Sequence, residues 1–280
     1  MNNPLHHAAS SGDLGKVRQA LAEGAQPDAR DEDFRTPLHL AAARGHLDVV
    51  RFLSARGASP EAVDKYGETP FFFAATEGQV EIARYFLDNG ADPDQKNNAE
   101  FTVLHFLARH AARVQLFPQY PGFLAVAELL LSHGADLEAR TDTGTTPLHF
   151  AAAHGPLEFV ELFLDHDADV TTADYEGMTA LHFSARVQPL PLVVALVEAG
   201  APVNAPDQYG FTPLHEAAES GSLAKIRYLL EHGVDPEARL DRPFQAYQAG
   251  FTPRDVAAAS GYEKAARWID LILERSNFGK

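Results

Sequence analysis

The sequence predicts an all-α solenoid, a stack of two-helix units, and three observations predict it. A four-residue phrase returns eight times along the 280 residues, mostly at a spacing of 33. Each return has the chemistry of a helix start, with Thr at the cap and Pro at the first helical position. The second helix of each unit carries an apolar stripe, such as Leu47, Val49, Val50, Phe52 and Leu53, too wide for one contact and suited to burial between two flanking units.

The phrases start at Asn3, Thr36, Thr69, Thr102, Thr146, Thr179, Thr212 and Thr252, spaced 33, 33, 33, 44, 33, 33 and 40 residues. Thr36-Pro37-Leu38-His39 is their fullest form. The Thr side chain accepts from an orphan amide of the first turn, and Pro lacks only an N–H that has no intrahelical partner. Its fourth residue is usually His, at the third residue of the helix, where the ring can reach back to the cap or across to the next unit. Phe72 and Asp255 break that pattern, the second giving a Thr-x-x-Asp capping box. A 33-residue period carrying this phrase marks ankyrin repeats, and the chain resembles that family from end to end. The resemblance implies a solenoid of helix-turn-helix units with projecting hairpin fingers, and a structural role for His39, His105, His149, His182 and His215.

The elements follow in order within each unit. In the second, the first helix runs from Pro37 to about Arg44, with Ala41 and Ala42 small enough for close approach of the next layer; Gly45-His46 then turns the chain into the second helix. Gly24, Gly57, Gly90, Gly134, Gly200 and Gly233 close the second helices, as a left-handed residue does; Asp167 takes that place in the fifth unit and is expected to share the conformation. Segments such as Gly57 to Gly67 are the fingers. The long spacings are insertions. Thr102 to Gly134 is longer than Thr36 to Gly57, so the addition near 113–123 lies between the helices of the fourth unit; Gly233 to Thr252 is longer than Gly24 to Thr36, so the addition near 239–247 lengthens a finger. The last unit, with Trp268, Ile269, Leu271 and Ile272 on one face and charges on the other, reads as a cap. One domain over 1–280 is expected, because a solenoid grows by adding layers to one core.

Composition narrows the function classes. The absence of Cys excludes disulfides, thiolate metal sites and cysteine nucleophiles. A formal charge of −16, from 39 acidic and 23 basic side chains, opposes nucleic acid and anionic lipid and favours a basic partner or plain solubility. No long apolar run reads as a membrane span, and no signal peptide is visible, so a cytoplasmic monomer is expected. No phosphate loop, dinucleotide fingerprint or nucleophile elbow occurs, and Asp31-Glu32-Asp33 reads as a solvated turn rather than a metal shell. Neither an enzymatic site nor a cofactor is expected.

The resemblance implies that finger tips and the ends of the first helices line a concave face that holds partners. Matched by position, the fingers offer Phe34, Arg35, Lys65, Tyr66, Glu68, Tyr175, Met178 and Tyr209, and the helix ends offer Arg44, Glu77, Arg109, His110, His154, Arg186 and Glu219. Aromatic residues, Met and Arg are the types enriched at binding hot spots. Phe101, Phe211 and Phe251, each just before a phrase, are as readily structural. Phe117 and Tyr120, in the insertion of the fourth unit with Leu116 and Phe123, offer either a second contact surface or a self-packed flap. Two functions follow: a non-enzymatic scaffold binding a protein or peptide along the face, or an inhibitory, immunity-like binder whose acidic surface blocks a basic enzyme.

Overall fold

A computed structural model describes residues 4–110, 122–187 and 189–277, which hold sixteen α-helices and, beyond two isolated bridges, no strand. None of these helices is long and apolar enough to cross a membrane. The chain falls into two compact units, Met1–Asp142 and Thr143–Lys280.

The first unit holds α1 (Pro4–Ser10), α2 (Leu14–Ala22), α3 (Pro37–Ala43), α4 (Leu47–Ala55), α5 (Pro70–Thr76), α6 (Val80–Asp88), α7 (Val103–His110) and α8 (Phe123–Ser132). The odd helices lie side by side in one layer and the even ones in a second, each odd helix packing on the even one that follows it. The second unit repeats the scheme with α9 (Pro147–His154), α10 (Leu157–Asp165), α11 (Ala180–Val187), α12 (Leu190–Glu198), α13 (Pro213–Glu219), α14 (Leu223–Glu231), α15 (Pro253–Ala259) and α16 (Glu263–Asn277). Each core is the seam between the layers. Leu38, Ala41, Ala42, Val49, Val50 and Leu53 of the second repeat are all fully buried there, the alanines letting neighbouring first helices close up.

The phrase histidine makes both bonds open to it. His39 Nδ1 accepts the Thr36 amide at 3.0 Å, and its Nε2 lies 3.0 Å from the Glu68 carbonyl oxygen in the next finger. A ring that accepts at Nδ1 carries its proton on Nε2, so the cap fixes the tautomer and the tautomer fixes the onward bond. His149 does the same with Thr146 and the Met178 carbonyl, His182 with Thr179 and the Phe211 carbonyl, and His215 with Thr212 and the Phe251 carbonyl. Phe72 substitutes an edge-on ring contact with Phe106, centroids 5.9 Å apart. Asp255 closes its box on the Thr252 amide and hydroxyl.

Asp167 has φ 62°, beside 82° to 96° at the six closing glycines, so the sequence alignment of that repeat is the structural one. Five fingers are braced by a carboxylate or amide oxygen that accepts two amides: Asp31 from Asp33 and Arg35, Asp64 from Tyr66 and Glu68, Asn97 from Ala99 and Phe101, Asp174 from Glu176 and Met178, Asp207 from Tyr209 and Phe211. Neighbouring fingers are joined by single backbone bonds, Lys65 N–H to Asp33 O and Asn98 N–H to Tyr66 O in the first unit.

The two inserted stretches differ in how much of them is described. The first lies between α7 and α8; Leu116, Phe117 and Tyr120 lie outside the described residues, whereas Phe123 is the first residue of α8 and is 4 % exposed, part of the core rather than of a projecting surface. Beside it Gly122 meets Gly78 backbone to backbone: a Cβ at Gly122 would stand 2.0 Å from the Gly78 carbonyl oxygen. The second insertion folds inward, burying Leu240 and Tyr247 with Phe211 and Val256 while Phe244 and Phe251 cover the cluster.

Candidate interaction face

Along α3, α5, α7, α9 and α11 the phrase buries its second, third and fourth residues and the fifth comes to the surface of the layer, whereas in α13 and α15 the fifth, Glu216 and Val256, is buried. In the first unit the surface residues are Leu40, Phe73 and Phe106; in the second, Phe150 and Phe183, all half-buried. One turn further stand the expected helix-end residues. Arg44 and Glu77 are exposed, and His110 stacks on Phe106 with ring centroids 4.1 Å apart. In the second unit His154 stacks more loosely on Phe150, at 6.5 Å, and Arg186 is exposed. Within the first unit the rings of Phe73 and His39 meet edge-on, and within the second those of Phe183 and His149 do the same. Sequence reading missed these first-helix aromatics, although Phe at the fifth place of four phrases was their signal.

On the fingers of the first unit, Phe34 is 51 % and Tyr66 57 % exposed. Lys65 lies over the Tyr66 ring, its Nζ 4.9 Å from the centroid, and pairs with Asp33 at 2.6 Å. Arg35 is tied to Asp31 at 2.9 Å and Asp33 at 3.1 Å, so the acidic finger tip is an internal ion-pair network. Glu68 is half-buried; burial pushes its carboxyl up, although its Oε1 accepts from the Asn97 amide. Arg109 lies over Phe101, 5.7 Å from the ring centroid.

In the second unit Tyr175 is 70 % exposed, its ring lying against Gly144. Two expectations need correction. Met178 is buried, because the residue before each phrase turns into the finger base, where its carbonyl receives the histidine bond. Tyr209 is exposed over only part of its surface, because the inserted finger lays Phe244 on it, centroids 4.4 Å apart, with the Arg242 guanidinium 5.1 Å from its ring. The neighbouring Phe211 is 1 % exposed, so its structural reading holds. Glu219 is half-buried and accepts the Tyr247 hydroxyl at 2.9 Å.

A second group that sequence reading did not single out lies at α11, α13 and α14. Glu216 holds the fifth phrase position, where the flanking repeats carry Phe183 and Val256, and is 4 % exposed; Lys225 is 5 % exposed and donates from Nζ to the Ala185 carbonyl. Burial pushes the Glu216 carboxyl up to about 8 and lowers Lys225, each opposed by the charge of the other. Among the described residues no three His, Asp or Glu side chains are gathered to hold a metal ion.

A sequence profile of ankyrin repeats, built on three copies, matches residues 5–97, 98–174, 165–240 and 204–269. Among solved structures, the crystal structure of the human ASB11 ankyrin repeat domain superposes with a TM-score of 0.71 at 23% identity, covering 83% of this chain and 99% of that one. That likeness bears on the fold alone. No curated protein sequence matches.

Proposed function

Because the chain belongs to the ankyrin-repeat family, whose members generally serve protein–protein contact, we propose that it is a non-enzymatic binding module that holds a protein or peptide against its first helices and finger tips. One observation carries this reading: Phe34, Tyr66 and Tyr175 stand 51 % to 70 % exposed on the fingers, where they add little to the core. Exposed aromatics beside Arg and Lys side chains are what interface hot spots are made of. The partner we propose is basic, in keeping with the formal charge of −16.

The test uses a partner recovered by cross-linking from native lysate and then purified. Tyr66→Ala and Tyr175→Ala leave the unfolding midpoint within about 0.5 kcal/mol of wild type, as exposed positions do, and each weakens binding by about 2 kcal/mol or more. Undiminished affinity in both variants sinks the face as the binding surface. Salt separates the two modes of action: an aromatic face keeps its association rate in high salt, whereas an acidic blocker of a basic enzyme loses it steeply.

A further inference from the structure

Glu216 is the one carboxylate among the fifth phrase positions, whose other occupants in the second unit are Phe150, Phe183 and Val256. A buried carboxyl needs hydrogen bonds to offset its lost hydration, yet the buried Glu216 Oε2 has none. The nearest cation, Arg186 Nε on α11, stops at 3.9 Å, outside hydrogen-bond range, with its side chain 51% exposed. Lys225 on α14 is committed to the Ala185 carbonyl. Glu219 on the same helix serves Tyr247, whose hydroxyl also contacts Ser260 at 2.9 Å. Asp207, on the preceding finger, adds negative charge, and on α15 Arg254 and Asp255 are occupied with Asp270 and Thr252. A phenyl ring fills this position elsewhere without any such deficit. The carboxyl therefore has no structural use that the surrounding residues meet.

We propose that Glu216 is the base of a receptor for a cationic side chain, a guanidinium or an ammonium, presented by a partner segment lying on the first helices of the second unit. This rests on the binding face proposed above and names the chemistry of one of its contacts. The incoming cation supplies the donors that the carboxyl lacks, a guanidinium offering two in parallel. Arg186, held only at long range and already half in solvent, swings outward to admit it.

The probe is tetra-arginine amide, with tetra-lysine amide as the ammonium arm and tetra-citrulline amide as the uncharged control, titrated calorimetrically into the full chain at pH 7 in buffers of different ionisation enthalpy. Glu216 holds its proton there, since burial puts it at about 8, so seating a cation on it releases about one proton per peptide and makes the heat depend on the buffer. The expected result is binding of a cationic peptide with that release, none for the citrulline peptide, and about a tenfold loss of affinity with no proton release in Glu216→Gln. Binding without proton release, or equal binding to Glu216→Gln, is capture by diffuse acidic surface and overturns the proposal; absence of binding overturns it too. The proton count is read on the wild-type chain, so the outcome does not depend on the variant folding. It does not depend on the natural partner either, so a failure here leaves the finger-aromatic test untouched.

Discussion

Acidification from pH 7 to pH 5 should reveal two opposed titrations in the second unit, and Glu216→Gln should separate them. Burial lowers His182 and His215 from an ordinary 6.5 to about 4. The unfolded chain thus takes up protons first as pH falls below 6.5, and stability drops until pH reaches about 4 and the folded rings charge as well. At pH 5 this costs about 2 kcal/mol per histidine. Glu216 runs the other way: its folded value of about 8 stands above an ordinary 4.5, so its contribution is complete below 4.5 and is lost as pH rises towards 8. Between pH 7 and pH 5 it returns about 2 to 3 kcal/mol, so these three groups together cost the wild type only about 1 to 2 kcal/mol, while in Glu216→Gln the two histidines cost about 4. Hydrogen exchange of the α11 and α13 amides keeps the readout on the repeats that carry these groups. Parallel pH profiles for wild type and variant would refute the burial of the Glu216 carboxyl, and a flat profile in the variant would refute the neutral histidines.

Three further substitutions test the backbone and the inserted finger. Asp167→Gly relieves a non-glycine residue at φ 62° and should stabilise the chain by about 1 kcal/mol in urea unfolding; an unchanged or lowered midpoint contradicts it. Gly122→Ala drives a methyl against the Gly78 carbonyl, 2.0 Å from its oxygen, and should cost about 2 kcal/mol or more, with exchange protection falling first in α8. Tyr247→Phe removes the hydroxyl shared by Glu219 and Ser260 while keeping the ring in its cluster, for a loss of about 1 kcal/mol that Tyr247→Ala should exceed severalfold.

The period made the backbone legible and left the side-chain environment largely hidden. Thr36, Thr69, Thr146, Thr212 and Thr252 are N-caps as read, and the closing glycines and Asp167 are left-handed as read, because caps and left-handed turns are decided by residues within a few positions. Exposure is decided by the neighbouring repeat. Tyr66 and Tyr209 hold the same finger position, yet one is open and the other lies under Phe244, which belongs to an insertion that no regular repeat has. Met178 fails for a related reason: a residue that the alignment puts on a finger turns inward at the finger base. Glu216 reads in sequence as an ordinary solvated helix residue, and only the packing of α11 and α14 around it reveals a buried carboxyl.

The histidine bridges give the array a direction. The rings of His39, His149, His182 and His215 each complete their own cap, and the remaining proton is left for a carbonyl further along the chain, as His182 gives to Phe211 O and His215 to Phe251 O. The phrase histidine of such a repeat therefore carries an obligation towards its successor and none towards its predecessor. Shortening such an array from its leading edge leaves every surviving ring bonded, whereas a cut behind His182 strands a buried N–H. Asp255 discharges the obligation: a carboxylate only accepts, and both its bonds return to Thr252. Splicing repeats of this chain into new arrays would be constrained by the same polarity, with any His-bearing unit admissible at the front and an Asp-bearing one required at the back.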